Sequence, residues 1–321
     1  MKRNWKEILL ALILGVLTPA VGLSLAVAQV QPPTGTQPAG TETAPVSGPV
    51  TIPVLLEGKC VQMELEEYLV GVLLREIPGS FHDEARKAQA VVARTYALRT
   101  VNKAVKHGSQ GVCGDPACCQ GYVSEADYIA QGGNRETVEK AKRAVAETEG
   151  QVLTYEGALI DATYFACSGG KTEDAVAVWG AEIPYLQSVS SPGEEQAEHY
   201  TDTVQLSAAA FAQALGLELT GSCASWLGQT TYTQGGGVDT MVIGGVSFKG
   251  TTLRQKLGLR STAFTLTAVG DTVTITTKGF GHRVGMSQYG ANAMGEAGST
   301  YDQILAHYYT GTLLQNLQME N

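Results

Sequence analysis

The sequence predicts a mixed α+β body with a cleft, carried behind an N-terminal membrane helix and a Pro-rich linker. Three observations lead there. An uncharged apolar run covers residues 8–28. Residues 31–50 hold five of the eleven prolines (Pro32, Pro33, Pro38, Pro45, Pro49) and no apolar period. From Thr51 onward, period-two segments bounded by turn residues are interleaved irregularly with segments of period 3.6, rather than in a strict βαβ order.

The apolar run is long enough to span a bilayer as a helix. Lys2, Arg3 and Lys6 precede it, which holds the start in the cytoplasm and sends the rest outside. Ala26-Val27-Ala28 also looks like a cleavage site, but the run is long for a signal segment. Residues 1–29 therefore read as a signal-anchor helix. Residues 30–50 read as a semi-extended linker holding the body away from the membrane.

The body opens with a strand over 51–56, a Glu57-Gly58 turn and a second strand through Met63. Leu65, Tyr68, Leu69, Val72 and Leu73 then repeat at helical spacing, and Pro78 ends that helix. Glu76 lies eleven residues after Leu65, about 20° away on the helical wheel, so it falls on the apolar stripe at the helix end. Ser80 with Asp83 reads as the N-cap of a second helix over 82–105. Its alanines (Ala85, Ala88, Ala90, Ala93, Ala97) permit close helix packing. A third helix over 135–147 stops at Gly150. A hairpin follows, from 151–155 through Glu156-Gly157 to 158–165.

From Pro192 to about Thr277 the texture changes to one amphipathic helix near 207–215, a Gly235-Gly236-Gly237 run and Thr/Val alternations such as 273–276. This reads as a smaller α+β domain, 193–277, inserted into a core formed by 51–192 and 278–321. The last segment returns to Gly-rich loops and two helices. No internal repeat is present.

Composition narrows the function. The 321 residues carry a net charge of −9, which argues against a nucleic-acid binder with a basic stripe and against polybasic adhesion to anionic lipid. Six Cys are too few for a disulfide scaffold but enough for a metal site. The segment HGSQGVCGDPACC (107–119) offers His107, Cys113, Cys118 and Cys119. Three thiolates and an imidazole suit tetrahedral zinc, and four protein ligands mark a structural site. Disulfides are the alternative outside the cytoplasm, but adjacent Cys118 and Cys119 seldom bond each other. Cys60, Cys167 and Cys223 read as buried thiols.

Glu76 is the catalytic candidate. Desolvation on an apolar face raises a carboxyl's pKa, and a protonated Glu is what a general acid needs to protonate a glycosidic oxygen. A solvated Glu at a frayed helix end is the plainer alternative. No second carboxylate sits at a recognisable spacing, which counts against a two-carboxylate glycosidase. Cys167-Ser168-Gly169-Gly170 reads as a tight turn lining a cleft rather than as a nucleophile partnered by His282, because the strand-elbow-helix spacing of a hydrolase is missing. Gly279, Gly281 and Gly285 flank His282 and allow close approach of backbone to a ligand.

Glu76-Ile-Pro, EARKAQAVVARTYALR (84–99), Cys113 through Cys119-Gln-Gly-Tyr122, Ser168-Gly-Gly-Lys-Thr172, Trp179-Gly180 with Pro184-Tyr-Leu186, GFGHRVGMSQYGANAM (279–294) and ILAHYYTGT (304–312) together resemble the stage II sporulation protein D family, in the same order along the chain. The resemblance implies a membrane-anchored lytic transglycosylase. Such an enzyme cleaves the MurNAc–GlcNAc bond of glycan strands stripped of stem peptides and leaves 1,6-anhydroMurNAc ends, during engulfment of the forespore. It implies partnership with stage II sporulation proteins P and M, puts the catalytic glutamate on Glu76, and matches a zinc-binding segment to 107–119. Here Cys118 stands where a His is usual, Ala166-Cys167 replaces a Ser-Thr pair, and Arg283 replaces a Gly. Substrate contacts are expected from Arg94, Gln89, Ser168, His282, Gln288 and Tyr289, with Arg94 pairing with Glu76 or a substrate oxygen or, equally, serving in a structural salt bridge. A non-catalytic, glycan-binding modifier of a wall amidase is the main alternative, and a zinc hydrolase is a third class.

Overall fold

The computed structural model describes residues 49–198 and 200–317. The expected anchor, 1–29, and all of the expected linker but residues 49–50 lie outside them. No helix among the described residues is long and apolar enough to cross a membrane.

Strand β1 (Thr51–Leu56) buries Ile52 and Val54 and pairs antiparallel with β2 (Lys59–Glu64). Both turn residues between them, Glu57 and Gly58, have positive φ (48° and 77°). That is the geometry whose twist matches a hairpin. Helix α1 (Leu65–Glu76) buries Leu65, Tyr68, Leu69, Val72 and Leu73, the stripe that its spacing predicts. It stops at Ile77, which turns extended (φ −116°) because the following proline ring clashes with a helical residue before it.

Helix α2 (Asp83–Asn102) is the spine of the body, and its alanines at 85, 88, 90, 93 and 97 are all buried. Its cap is His82, whose ring accepts the Glu84 N–H, and not Ser80 as the sequence suggests. The chain then forms β3 (Val112–Cys113), parallel to β1. Next comes a short helix that apolar spacing does not reveal, α3 (Glu125–Ala130), capped by Ser124. Helix α4 (Arg135–Glu147) is capped by Asn134 and packs on α1 and α2.

Strand β4 (Gln151–Tyr155) turns through Glu156 (φ 50°) and Gly157 (φ 80°) into β5 (Ala158–Leu159). The expected second arm does not continue to 165. Its last part is a separate strand, β6 (Tyr164–Phe165), which leaves the hairpin for a distant partner. Helix α5 (Ala175–Trp179) ends on left-handed Gly180.

The next stretch runs β7 (Thr201–Ser207), α6 (Ala208–Leu215), β8 (Leu227–Tyr232), β9 (Val238–Ile243), β10 (Val246–Lys249), α7 (Gly250–Lys256), β11 (Ala263–Val269) and β12 (Thr272–Lys278). It makes two three-stranded sheets, ordered β10-β9-β8 and β11-β12-β7. Their apolar faces, with Phe211, Leu253 and Trp226, close over a hydrophobic cluster separate from those beneath α1 and α2.

The chain then returns as β13 (Met286–Ser287), which pairs parallel with β6, Met286 opposite Tyr164. Helix α8 (Gln288–Glu296) is capped by Ser287, and α9 (Tyr301–Tyr308) carries a capping box between Thr300 and Gln303. Strand β14 (Leu313–Asn316) adds to the free edge of β4.

Candidate active site and metal centre

The end of α1, the β6 segment and the loop before β13 converge on a cleft of about 570 Å³. Glu76 lies in its wall together with Tyr164, Phe165, Trp179, His282 and Gln288. Pro78 fixes where α1 stops, and so places Glu76 at the mouth of the helix rather than inside it. The Glu76 Oε1 accepts the Gly121 backbone N–H at 2.5 Å. Burial pushes the Glu76 carboxyl above its ordinary pKa; the Gly121 N–H, the Arg75 charge and hydrogen bonds from Gln288 and Tyr164 pull the other way. Among the described residues lining the cleft, Glu76 is the one carboxylate.

His282 lies edge-on to Phe165 (5.6 Å between ring centroids) and tilted to Trp179 (5.5 Å). The Val284 N–H donates to its Nδ1 at 3.2 Å. Burial, with a smaller contribution from Arg254, lowers its pKa to about 4. The imidazole is therefore neutral at neutral pH and forms part of the cleft wall.

The metal candidates do converge. One donor atom each from His107, Cys113, Cys118 and Cys119 lies within 4.8 Å of the others. The Cys118 Sγ is 3.3 Å from the His107 Nε2 and 4.0 Å from the Cys119 Sγ. No cysteine among the described residues forms a disulfide; Cys167 and Cys223 are buried as expected, whereas Cys60 lies exposed on strand β2. Zinc–sulfur and zinc–nitrogen bonds of about 2.3 and 2.0 Å require ligand atoms about 3.5–4 Å apart, so these four residues can hold a metal ion. Burial and the neighbouring Cys113 push the Cys119 thiol up to about 12. Cys118 and Cys119 also line the cleft. The chain continues from Cys119 through Gln120, buried against Tyr68 and Tyr164, to Gly121 and its bond to Glu76. The metal loop therefore sets the position of that N–H.

Four expected substrate contacts are placed elsewhere. Arg94 is fully buried and bonds Glu66 at 2.6 and 2.9 Å and the carbonyls of Val145 and Gln151. It ties α1 to α4 and β4 instead of reaching Glu76 or a sugar, because the acid it meets across the helix crossing is the one in the first turn of α1. Gln89 is also fully buried, and its Oε1 accepts from the Gln288 Nε2 at 3.4 Å, so it supports Gln288 from below. Ser168 is buried under the Ser-Gly-Gly turn and donates to Glu194 at 2.7 Å. Tyr289 packs edge-on against Phe81, outside the cleft lining.

Two buried acids escape sequence reasoning. The Glu194 Oε2 accepts the N–H groups of Ser168 and Gly169 at 2.9 Å, while its Oε1 accepts the hydroxyls of Ser191 and Ser287. It thereby joins the Ser-Gly-Gly turn to the cap of α8. Burial, with the Glu194 charge beside it, pushes the Cys167 thiol up to about 12, which fits a turn residue and not a nucleophile. Glu173 pairs with Arg283 at 3.1 Å, both nearly inaccessible. Arg283 also donates to the carbonyls of Ser168, Lys171 and Gly235. Neither acid belongs to a periodic pattern; only the unusual Arg283 inside a Gly-rich segment signals a buried partner.

Comparison with known proteins identifies the family. The sequence model of the SpoIID family, described as stage II sporulation protein, matches residues 57–155. The chain is 45% identical over 286 residues to stage II sporulation protein D of Bacillus subtilis (strain 168), covering 86% of this chain and 82% of that one. It is 42% identical over 279 residues to the protein of the same name from Bacillus amyloliquefaciens, covering 85% and 80%. A more distant relative, the amidase enhancer of Bacillus subtilis, is 30% identical over 300 residues, covering 77% of this chain and 40% of the relative. Identity of this level across most of both chains shows that the chain belongs to the sporulation family of stage II sporulation protein D.

Proposed function

We propose that the protein is a membrane-anchored lytic transglycosylase that cleaves the MurNAc–GlcNAc bond of peptide-stripped glycan strands and forms 1,6-anhydroMurNAc ends. The observation that carries this reading is Glu76, the one carboxyl among the described residues lining the cleft, with its pKa raised by burial. Glu76 protonates the leaving oxygen as an oxocarbenium-like centre develops. As carboxylate it then takes the proton of the C6 hydroxyl as that oxygen closes on the anomeric carbon. A hydrolase of the two-carboxylate kind needs a second acid facing the first, and the described cleft lining offers none. The His107, Cys113, Cys118 and Cys119 cluster would hold a structural zinc, which supplies no open coordination position and serves to fix the loop carrying Gly121.

The same reading puts the body on the outer side of the cell membrane at the engulfing septum, held by residues 1–29 and acting with stage II sporulation proteins P and M. The resemblance to the amidase enhancer favours one second reading, a glycan binder that cleaves nothing. Digestion of peptide-free glycan strands, read by mass spectrometry for wild type and Glu76→Gln, decides between them. The enzyme releases anhydro-ended fragments that Glu76→Gln does not, and a binder releases none.

A further inference from the structure

Among the described residues that line the cleft, Lys106 is the one Lys or Arg. Arg254, whose charge reaches His282, does not line it. Two left-handed non-glycine residues, Ala104 (φ 49°) and Lys106 itself (φ 68°), bend the chain between the end of α2 and the metal ligand His107. That bend brings an exposed side chain to the cleft rim. The Lys106 ammonium donates to the Tyr96 hydroxyl at 2.9 Å and to the Cys118 carbonyl. An ammonium has three N–H donors, so one remains for a ligand. The rest of the lining includes a carboxyl raised by burial, a neutral imidazole, aromatic rings, the Gln288 amide and the Cys118 and Cys119 sulfurs. The cleft thus suits a sugar segment that brings one anionic group into it, beside the bond to be cleaved.

The glycan of the wall has one such group. MurNAc carries a lactyl ether on O3; while a stem peptide is attached, its carboxyl is a neutral amide, and once the peptide is removed it is a carboxylate. We propose that Lys106 binds this free lactyl carboxylate, and so selects peptide-stripped MurNAc at the position next to Glu76. The inference rests on the glycan-cleaving reading and adds the residue that sets its specificity. The need for such a contact follows from charge: a chain with net charge −9 repels a polyanionic strand, and a cation inside the cleft offsets that locally.

The test uses peptide-free strands in two forms, with lactyl carboxyls free or converted to neutral methylamides. For wild type we expect kcat/KM to favour the free acid by about tenfold, the range of one charge-assisted hydrogen bond, with the difference in KM. In Lys106→Met that ratio falls to near one, and Lys106→Arg restores most of it. A wild type indifferent to amidation, or a Lys106→Met variant that loses both substrates equally, overturns the inference. The second outcome is what a purely structural grip on the Cys118 carbonyl produces, and zinc content and thermal stability of the same variant register it independently. The affinity of Glu76→Gln for the two strands, with and without Lys106→Met, repeats the measurement without turnover. Preference for the free acid in binding without any anhydro product refutes the cleavage reading and leaves Lys106 in place. Anhydro product without the preference refutes Lys106 alone.

Discussion

The Gly121 N–H donates to the Glu76 Oε1 at 2.5 Å, and a Cβ built on Gly121 would meet that same oxygen at 2.8 Å and the Arg75 Cγ at 2.6 Å. Glycine is needed at 121 for space rather than for backbone conformation. Gly121→Ala displaces the carboxyl from its donor while leaving the helix in place. A misplacement on the order of 1 Å can cost about 10²-fold in rate. We expect kcat on glycan strands to fall by that order with the melting temperature little changed; an unaltered kcat would show that the Gly121 contact does not position the acid.

Glu76→Gln keeps the shape and removes the proton. Loss of general acid–base catalysis lowers kcat by about 10²–10⁴. Because burial raises the Glu76 pKa, wild-type activity falls as pH rises through that raised value, where the protonated acid is lost. Stability carries the same sign. The folded protein favours the protonated carboxyl, so its contribution is complete below the unfolded value of about 4.5 and is lost as pH rises through the folded one. Glu76→Gln is therefore more stable relative to wild type at pH 8 than at pH 4, as thermal denaturation at the two pH values will register.

His282 behaves in the opposite way. Its depressed pKa, about 4, keeps it neutral through the physiological range, with the Val284 N–H on its Nδ1. Its contribution to stability is present above the unfolded value of about 6.5 and is lost as pH falls toward 4. NMR titration of the imidazole should give a midpoint near 4; a midpoint near 6.5 would place the ring in solvent and remove it from the cleft wall.

Breaking the buried Arg283–Glu173 pair leaves a charge without its partner, at a cost of about 3–5 kcal/mol. Arg283→Met should lower the denaturant midpoint accordingly. Arg283→Gly relieves the left-handed backbone at 283 (φ 68°), worth about 1–2 kcal/mol, and should recover part of that loss.

The metal loop makes a separate prediction. Cys113→Ser should lose zinc, as elemental analysis would show, while Cys118→His should retain it, since either side chain ligates zinc. If the cluster holds a structural ion, as proposed, chelation should abolish activity slowly, in step with loss of secondary structure. Immediate loss with the fold intact would point to a catalytic metal.

Much of this arrangement was legible in the sequence, and the exceptions share a cause. The phase of α1 follows from Leu65, Tyr68, Leu69 and Val72, and the position of Glu76 from that phase and Pro78. The His107 to Cys119 cluster is local, so spacing alone locates it. For Arg94 the structure has the structural salt bridge rather than the substrate contact; sequence shows a charge on a helix but not which acid lies across the crossing, and Glu66 and Glu76 sit on the same helix at opposite ends. The split of the 158–165 arm arises from β6 pairing with β13, a contact between distant segments that no local period encodes. Glu173, Glu194 and Lys106 act singly, from loops, where periodicity carries no information.

The parallel pairing of Tyr164 with Met286 carries a consequence for biogenesis. One wall of the groove is made early in synthesis and the other far later, after both sheets spanning 201–278 have been made. A nascent chain therefore cannot assemble this cleft until nearly all of it has left the ribosome. The glycan-cleaving activity proposed above would thus be withheld from partial products, which hold Glu76 but lack the opposite side of the cleft.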